Sequence, residues 1–162
     1  MKTLLKVAGA ILVCLVLLLL VLRITGLDPK GLRPGLWLTG NVVTTPVADW
    51  SFADKIMTVQ LQTRTWYLLP HSVNIGCVYY NGYLYVSSVH MRPGVKYRWN
   101  DDVLRDPRVR LKIGNQLFDR TVTLVTDPAE KEAVLQAKAK KYSDAKVLSQ
   151  NLTSNVFRVP EN

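Results

Sequence analysis

Between Lys6 and Arg23 the chain runs for sixteen residues, Val7 to Leu22, without a charge. As a helix this run reaches about 24 Å, a little short of a hydrocarbon core of ~30 Å. Leu4, Leu5, Ile24 and the snorkelling stems of Lys6 and Arg23 supply the remainder. A secretory signal has the same basic start and apolar run but ends in small residues of the A-x-A kind, whereas RITGLDPKG follows here. Residues 1–25 are therefore expected to be an uncleaved single-pass anchor that meets the lipid bilayer through residues 7–22. A lipid-modified Cys14 does not fit, because Leu12 and Val13 before it are large and the apolar run continues past it.

Orientation rests on a near tie, with Lys2 and Lys6 on one side and Arg23, Lys30 and Arg33 on the other. A short N-terminal tail usually stays in the cytoplasm, which places the following domain on the exported side. DPKGLRPG, rich in Pro, Gly and charge, reads as a linker over residues 26–35, and residues 36–162 form one domain.

The domain is basic. Three of the 21 Lys and Arg residues (Lys2, Lys6 and Arg23) flank the apolar run, so the rest of the chain keeps 18 bases against 12 acids. Such a balance suits an anionic ligand, an anionic membrane surface or nucleic acid. No helix-turn-helix, zinc-finger or RNA-binding aromatic motif accompanies it, so no specific nucleic-acid partner is expected. Cys14 lies in the apolar run and Cys77 in a strand-like segment; neither a disulfide nor a metal site follows from them, and both read as packing residues.

From Leu36 the punctuation is that of a β protein. LWLTGNVVTTPV, MTVQLQTRTWYLLP, VNIGCVYYNG, YLYVSSV, VRLKIGNQLFDRTVTLVTD and NVFRVPEN are each bounded by Gly, Pro, Asn or Asp. Asn81-Gly82 is the strongest hairpin signal, because a two-residue type I′ turn needs positive φ at both positions. Gly114-Asn115 plays the same part between RVRLKI and QLFDRTVTLV. Val109, Leu111 and Ile113 alternate with Arg108, Arg110 and Lys112, so one face is buried and the other is a wet row of cations.

Two helices interrupt the strands. Trp99 to Leu104 is expected to form a short one, with Asn100, Asp101 and Asp102 in its first turn, where acids complement the dipole. DPAEKEAVLQAKAKKY forms the second, with Asp127 as N-cap, Pro128 at the first helical position and Lys138, Lys140 and Lys141 late. Ala133, Val134, Ala137 and Tyr142 supply its inward face. The expected class is mainly β with flanking helices.

In order, a hairpin ending in LYVSS, a basic loop with KYRW, a short helix, LRDPRVRLKIG, a return strand, TDPAEKEAVL and a final VFRV strand resemble the FMN-binding split-barrel superfamily. Within it the chain is most similar to the branch of pyridoxamine 5′-phosphate oxidase-like proteins and deazaflavin-dependent nitroreductases, over about residues 58–160. The resemblance implies a six-stranded split β-barrel, a homodimer, and FMN or a deazaflavin held in a groove between subunits. Carried over by position, it assigns Ser87 or Ser88, Lys96 or Arg98, and Trp99 to the cofactor. Arg64 and Thr65, in TRTWY, occupy a region that also contributes phosphate or ring contacts. The implied activity is that of a nitroreductase-like oxidoreductase acting on a small molecule.

The chemistry of these residue types agrees. A phosphate needs convergent donors, which a strand-end serine, a lysine, an arginine and free helix N-terminal amides provide. A flavin-type ring needs a flat apolar wall, for which Trp66, Tyr67 and Trp99 are the candidates. The plainer account of Lys96 and Arg98 is a solvated basic corner beside the membrane. His71 and His90 lack a Ser, Asp or Cys partner at a catalytic spacing and read as structural or solvated. Trp37 and Trp50 read as core or membrane-interface packing.

No Walker loop, dinucleotide fingerprint, zinc signature or nucleophile elbow is present, so the reactive group of an enzyme here would be a bound cofactor. The deazaflavin branch often carries glycines in the loop after the strand, where this chain has VHMRPGVKY. That departure and the anchor motivate a second reading, a split barrel without cofactor acting as a binding or structural module of the cell envelope.

Overall fold

Eight strands form one sheet in the computed structural model, which describes residues 2–87, 97–143 and 154–161. They are β1 (Asn41–Val42), β2 (Thr58–Arg64), β3 (Pro70–Tyr80), β4 (Tyr83–Ser87), β5 (Arg108–Ile113), β6 (Gln116–Thr121), β7 (Thr123–Leu124) and β8 (Val156–Val159). Their order across the sheet is β1-β6-β5-β2-β3-β4-β8-β7. β7 is the last strand of this order and β6 stands next to the first, β1, yet only Val122 separates β6 from β7 in the chain. The two edges are therefore brought together and the sheet curls round on itself.

Six strands were expected, and six of the eight have four or more residues. The two additions have local causes. Residues 36–47, read as one strand, pair only at Asn41 and Val42, in parallel with β6. Gly40 interrupts the run on one side, and Pro46, with no N–H to give, follows on the other. β7 separates from β6 because the Val122 N–H leaves the ladder for the Pro107 carbonyl, 3.0 Å away.

The turns follow from residue type. Asn81 and Gly82 have φ of 47° and 88°, the paired positive values of a type I′ hairpin. At Gly114-Asn115 only the glycine is positive, at 61°. Alternation puts Val59, Leu61, Cys77, Leu84, Val86, Val109, Leu111, Ile113 and Phe157 into one core, closed by Trp50 and Trp99.

Three helices complete the chain: α1 (Lys2–Thr25), α2 (Arg98–Arg105) and α3 (Pro128–Tyr142). α1 buries none of its residues and, among the described residues, is the helix long and apolar enough to cross a membrane. α3 starts as its sequence demands: the Asp127 carboxylate accepts from the Ala129 and Glu130 amides at 3.3 and 3.0 Å. Its inward side packs Val134 and Leu135 against Val78, Tyr85, Val125 and Val156.

The stretch after α1 is tied to the sheet. Leu27 N–H donates to Trp37 O, and Gly35 and Ser72 exchange backbone bonds at 2.8 and 3.0 Å. Leu38 N–H donates to Gln62 Oε1 at 2.7 Å, and Asp28 pairs with Lys112. These bonds join the residues that follow α1 to β2, β3 and β5.

Candidate functional site

Ser87 ends β4 opposite Val156 of β8, and its side chain is buried. Its Oγ lies 2.6 Å from Lys138 Nζ, which reaches in from α3 and also approaches Gly76 O at 3.4 Å. Lys138 is 7% exposed. Among the described residues no carboxylate lies within ion-pair distance of it. Burial drives its ammonium pKa down to about 8. A lysine in this state accepts an anion readily, because a counter-charge removes the cost of keeping the ammonium away from water.

Tyr142, one turn further along α3, fixes the same wall. Its Oη accepts from Cys77 N–H at 2.9 Å and donates toward the carbonyls of Met57 and Cys77, at 2.5 and 2.9 Å. Burial raises its pKa to about 12. A glycine is required at 76, since a Cβ there would stand 2.8 Å from Tyr142 Oη. Cys77 is fully buried, and burial pushes its thiol up, which leaves it unreactive. Tyr142→Phe should lower stability by about 1 to 3 kcal/mol, since it strands the Cys77 amide and a carbonyl. Urea titration of the full chain checks this; an unchanged midpoint would remove Tyr142 from the scaffold of the site.

α2 caps the same end of the barrel. Asn155, beside Val156, donates to Asn100 Oδ1 at 3.2 Å and so links the start of β8 to the start of α2. Tyr97, the N-cap of α2, makes no side-chain capping bond. Arg98 lies exposed with its guanidinium 4.7 Å from the centre of the Tyr67 ring. Asp102 is the fixed point of the helix. At 3% exposure it meets Arg105 at 3.3 Å, Thr63 Oγ1 at 3.4 Å and His71 Nδ1 at 3.7 Å. Burial lowers the His71 pKa, and the Asp102 charge opposes that shift.

The expected site residues divide accordingly. Ser87 faces Lys138, and Arg98 lies on α2 beside Tyr67. Thr65 is buried with its hydroxyl donating to Leu69 O, within the tip that joins β2 to β3. Arg64 is exposed at the end of β2, on the outer face. Trp99 is 3% exposed and packs on Phe157 at 6.0 Å, so its ring belongs to the core and offers no free face to a flavin. Trp66 is 75% exposed at the tip. Ser88, His90 and Lys96 lie outside the described residues.

Lys138 was read only as one of the cations late in its helix, beside Lys140 and Lys141. Its spacing carried a further signal: Val134, Lys138 and Tyr142 recur every four residues, on one face of a helix. The row Arg108, Arg110 and Lys112 is outward as expected, but each cation has an acid. Arg108 pairs with Asp106 at 2.6 Å, Arg110 with Asp119 at 2.7 Å and Lys112 with Asp28.

Solved structures decide the architecture. The conserved hypothetical protein Rv2991 from Mycobacterium tuberculosis superposes with a TM-score of 0.57 at 15% identity, over 75% of this chain and 86% of that one. An F420-H2 dependent reductase superposes with a TM-score of 0.52 at 19% identity, over 64% and 94%. HutZ, the heme storage protein from Vibrio cholerae, gives 0.53 at 17%, over 69% and 86%. The fold is a split barrel. In this split barrel the long strands β2 to β6 and β8 form the wall, while α2 and α3 flank the end where Ser87 and Lys138 meet. No family model and no curated protein matches the sequence.

Proposed function

We propose that this chain is a membrane-anchored split barrel that binds the phosphate of a flavin or deazaflavin and serves as a nitroreductase-like oxidoreductase for a small molecule. The observation that carries the reading is Lys138, a buried cation held by Ser87 with no acid paired to it among the described residues. Ser87 and Lys138 are donors of the kind an anionic group needs, and the Asn155–Asn100 bond links the start of β8, beside Ser87, to α2, which carries Arg98. The reductase among the similar structures, named for a reduced deazaflavin, supports the choice of cofactor class.

Such a cofactor supplies hydride or electron transfer when bound. The chain's own part is to hold the phosphate at Ser87 and Lys138, to bring Arg98 and Lys96 to the same charge, and to keep α2 in place through Asp102. Two copies would complete the ring pocket, as the split-barrel resemblance implies. The anchor would hold the domain on the exported side.

Titration of the full chain in detergent with FMN, FAD, a deazaflavin and haem, followed by absorbance and calorimetry, tests the proposal. Micromolar binding of one of the first three is expected. Lys96→Ala with Arg98→Ala should weaken it about tenfold or more, each lost charge-assisted bond being worth roughly 1.5 to 3 kcal/mol. Binding of none, or of haem alone, would overturn it and leave the module without a flavin cofactor.

A further inference from the structure

The outer face of β2, β5 and β6 forms one side of a groove of about 830 Å³, whose lining includes Arg23, Trp37, Arg64, Leu68, Arg108 and Arg110. Arg23 is the basic residue in the last turn of α1. A groove that Arg23 lines lies within one side chain's reach of the point where α1 would leave the hydrocarbon. The residues between α1 and β1 are hydrogen-bonded to the sheet, so this proximity is built into the fold.

The groove is cationic. Five arginines (the four above and Arg120) line it against two acids, Asp106 and Asp119. Those acids are taken by Arg108 and Arg110. Among the described residues, Arg23 and Arg64 have no acid within ion-pair distance.

Beside them the tip between β2 and β3 turns outward. Trp66 is 75% exposed and Leu68 93%, and Leu68 adopts a φ of 69°, which a branched side chain rarely takes without cause. A tryptophan and a leucine presented to solvent next to unpaired arginines match the composition of a membrane-interface contact, with rings and aliphatics at headgroup depth and guanidinium groups on phosphates.

We infer that this face lies on the bilayer, with Trp66 and Leu68 entering the interface and Arg23 and Arg64 binding the headgroups of anionic phospholipids. The inference rests on the anchor reading in that α1 brings the groove to the membrane. The surface would tilt the barrel onto the bilayer and fix which side of it faces the aqueous phase.

The test uses the full chain with vesicles of phosphatidylcholine alone or mixed with phosphatidylglycerol, the acyl chains brominated in parallel samples. Flotation with phosphatidylcholine vesicles reports the anchor. Quenching by brominated lipid, taken as the difference between the full chain and its Trp66→Phe variant, reports the tip. The expected result is flotation with both vesicles and Trp66 quenching that increases with phosphatidylglycerol. That increase should be lost in Arg64→Glu and at high salt, while flotation stays.

Flotation with unquenched Trp66, or quenching indifferent to phosphatidylglycerol and to Arg64→Glu, would overturn the surface and spare the anchor. Flotation only with anionic vesicles, with Trp66 quenched, would overturn the anchor and sustain the surface. No flotation with either would overturn both. Shielding of Trp66 from lipid through dimerisation, seen as a concentration-dependent mass in detergent, also counts against it.

Discussion

Lys138→Met should make the protein more stable at neutral pH and poorer at binding its cofactor. The ammonium pKa falls from 10.5 in the unfolded chain to about 8 in the fold. That difference corresponds to a penalty of about 3 kcal/mol for holding the charge in the barrel. Methionine has nearly the same length and volume and carries no charge. It forfeits the bond to Ser87 and leaves that hydroxyl buried, a loss of about 1 to 2 kcal/mol. The net gain is about 1 to 2 kcal/mol, or several degrees in Tm for a domain of this size.

The pH dependence gives the prediction its sign. Because the folded pKa lies below the unfolded one, the unfolded chain binds the extra proton between about pH 8 and 10.5. Wild-type stability therefore rises across that window, relative to Lys138→Met, and the gap between the two closes as pH increases. Below about pH 8 both states carry the proton and the whole penalty applies. Denaturant titrations of the two proteins at pH 7 and pH 10 measure the difference directly.

Cofactor binding should move the other way, by roughly ten- to a hundredfold in affinity, if the ammonium is the partner of a phosphate. A bound phosphate should also keep Lys138 charged and flatten the wild-type pH dependence. A more stable variant with unchanged affinity would mean that Lys138 is only a structural polar contact. A site that weakens its own fold in order to bind is a common trade-off in proteins, and it makes this variant more informative than a loss of activity alone.

The barrel was legible in the sequence where period and turn chemistry agreed. Asn81-Gly82 fixed one hairpin through its φ requirement, and Asp127-Pro128 fixed the start of α3 to the residue. The Arg108–Ile113 alternation placed three aliphatic residues inside. What escaped was where residue type and residue position disagree. Lys138 lies four residues from Val134 and from Tyr142, and Asp102 lies three from Trp99 and one from Val103, so spacing put both on inward stripes while their charge argued for water. Trp99, expected at a cofactor ring, is 3% exposed and packs on Phe157. Long-range pairing was also hidden: Asp106 stands two residues from Arg108, but nothing local indicates that Asp119 and Asp28 neutralise Arg110 and Lys112, and Asp28 comes from the far side of the sequence.

Asp102 is the residue whose loss should damage the fold most. Its carboxylate is 3% exposed, meets Arg105, Thr63 and His71, and joins α2 to β2 and β3. Asp102→Ala removes the buried partner of Arg105 and the weaker of the two acceptors at the Thr63 hydroxyl, which keeps His71 O at 3.1 Å, and should lower stability by up to about 3 kcal/mol. That corresponds to roughly 10 °C in Tm for a domain of this size. Asp102→Asn keeps an acceptor for Thr63 and should lose about half as much.

The histidine separates both variants from the wild type. Burial already holds the His71 pKa below 6.5, so the stability that depends on its neutral form is present above that value and lost as pH falls beneath it. Without the Asp102 charge the pKa drops further, and acid sensitivity extends to lower pH in both variants. Near-UV circular dichroism, which reads the packing of Trp99 on Phe157, should show α2 loosening in Asp102→Ala ahead of the strands. Cofactor affinity should then fall by more than Arg98→Ala alone produces, because the whole start of α2 is displaced. If Asp102→Ala melted with the wild type, α2 would be held by its apolar stripe alone and the Thr63–Asp102–Arg105 contacts would carry no stability.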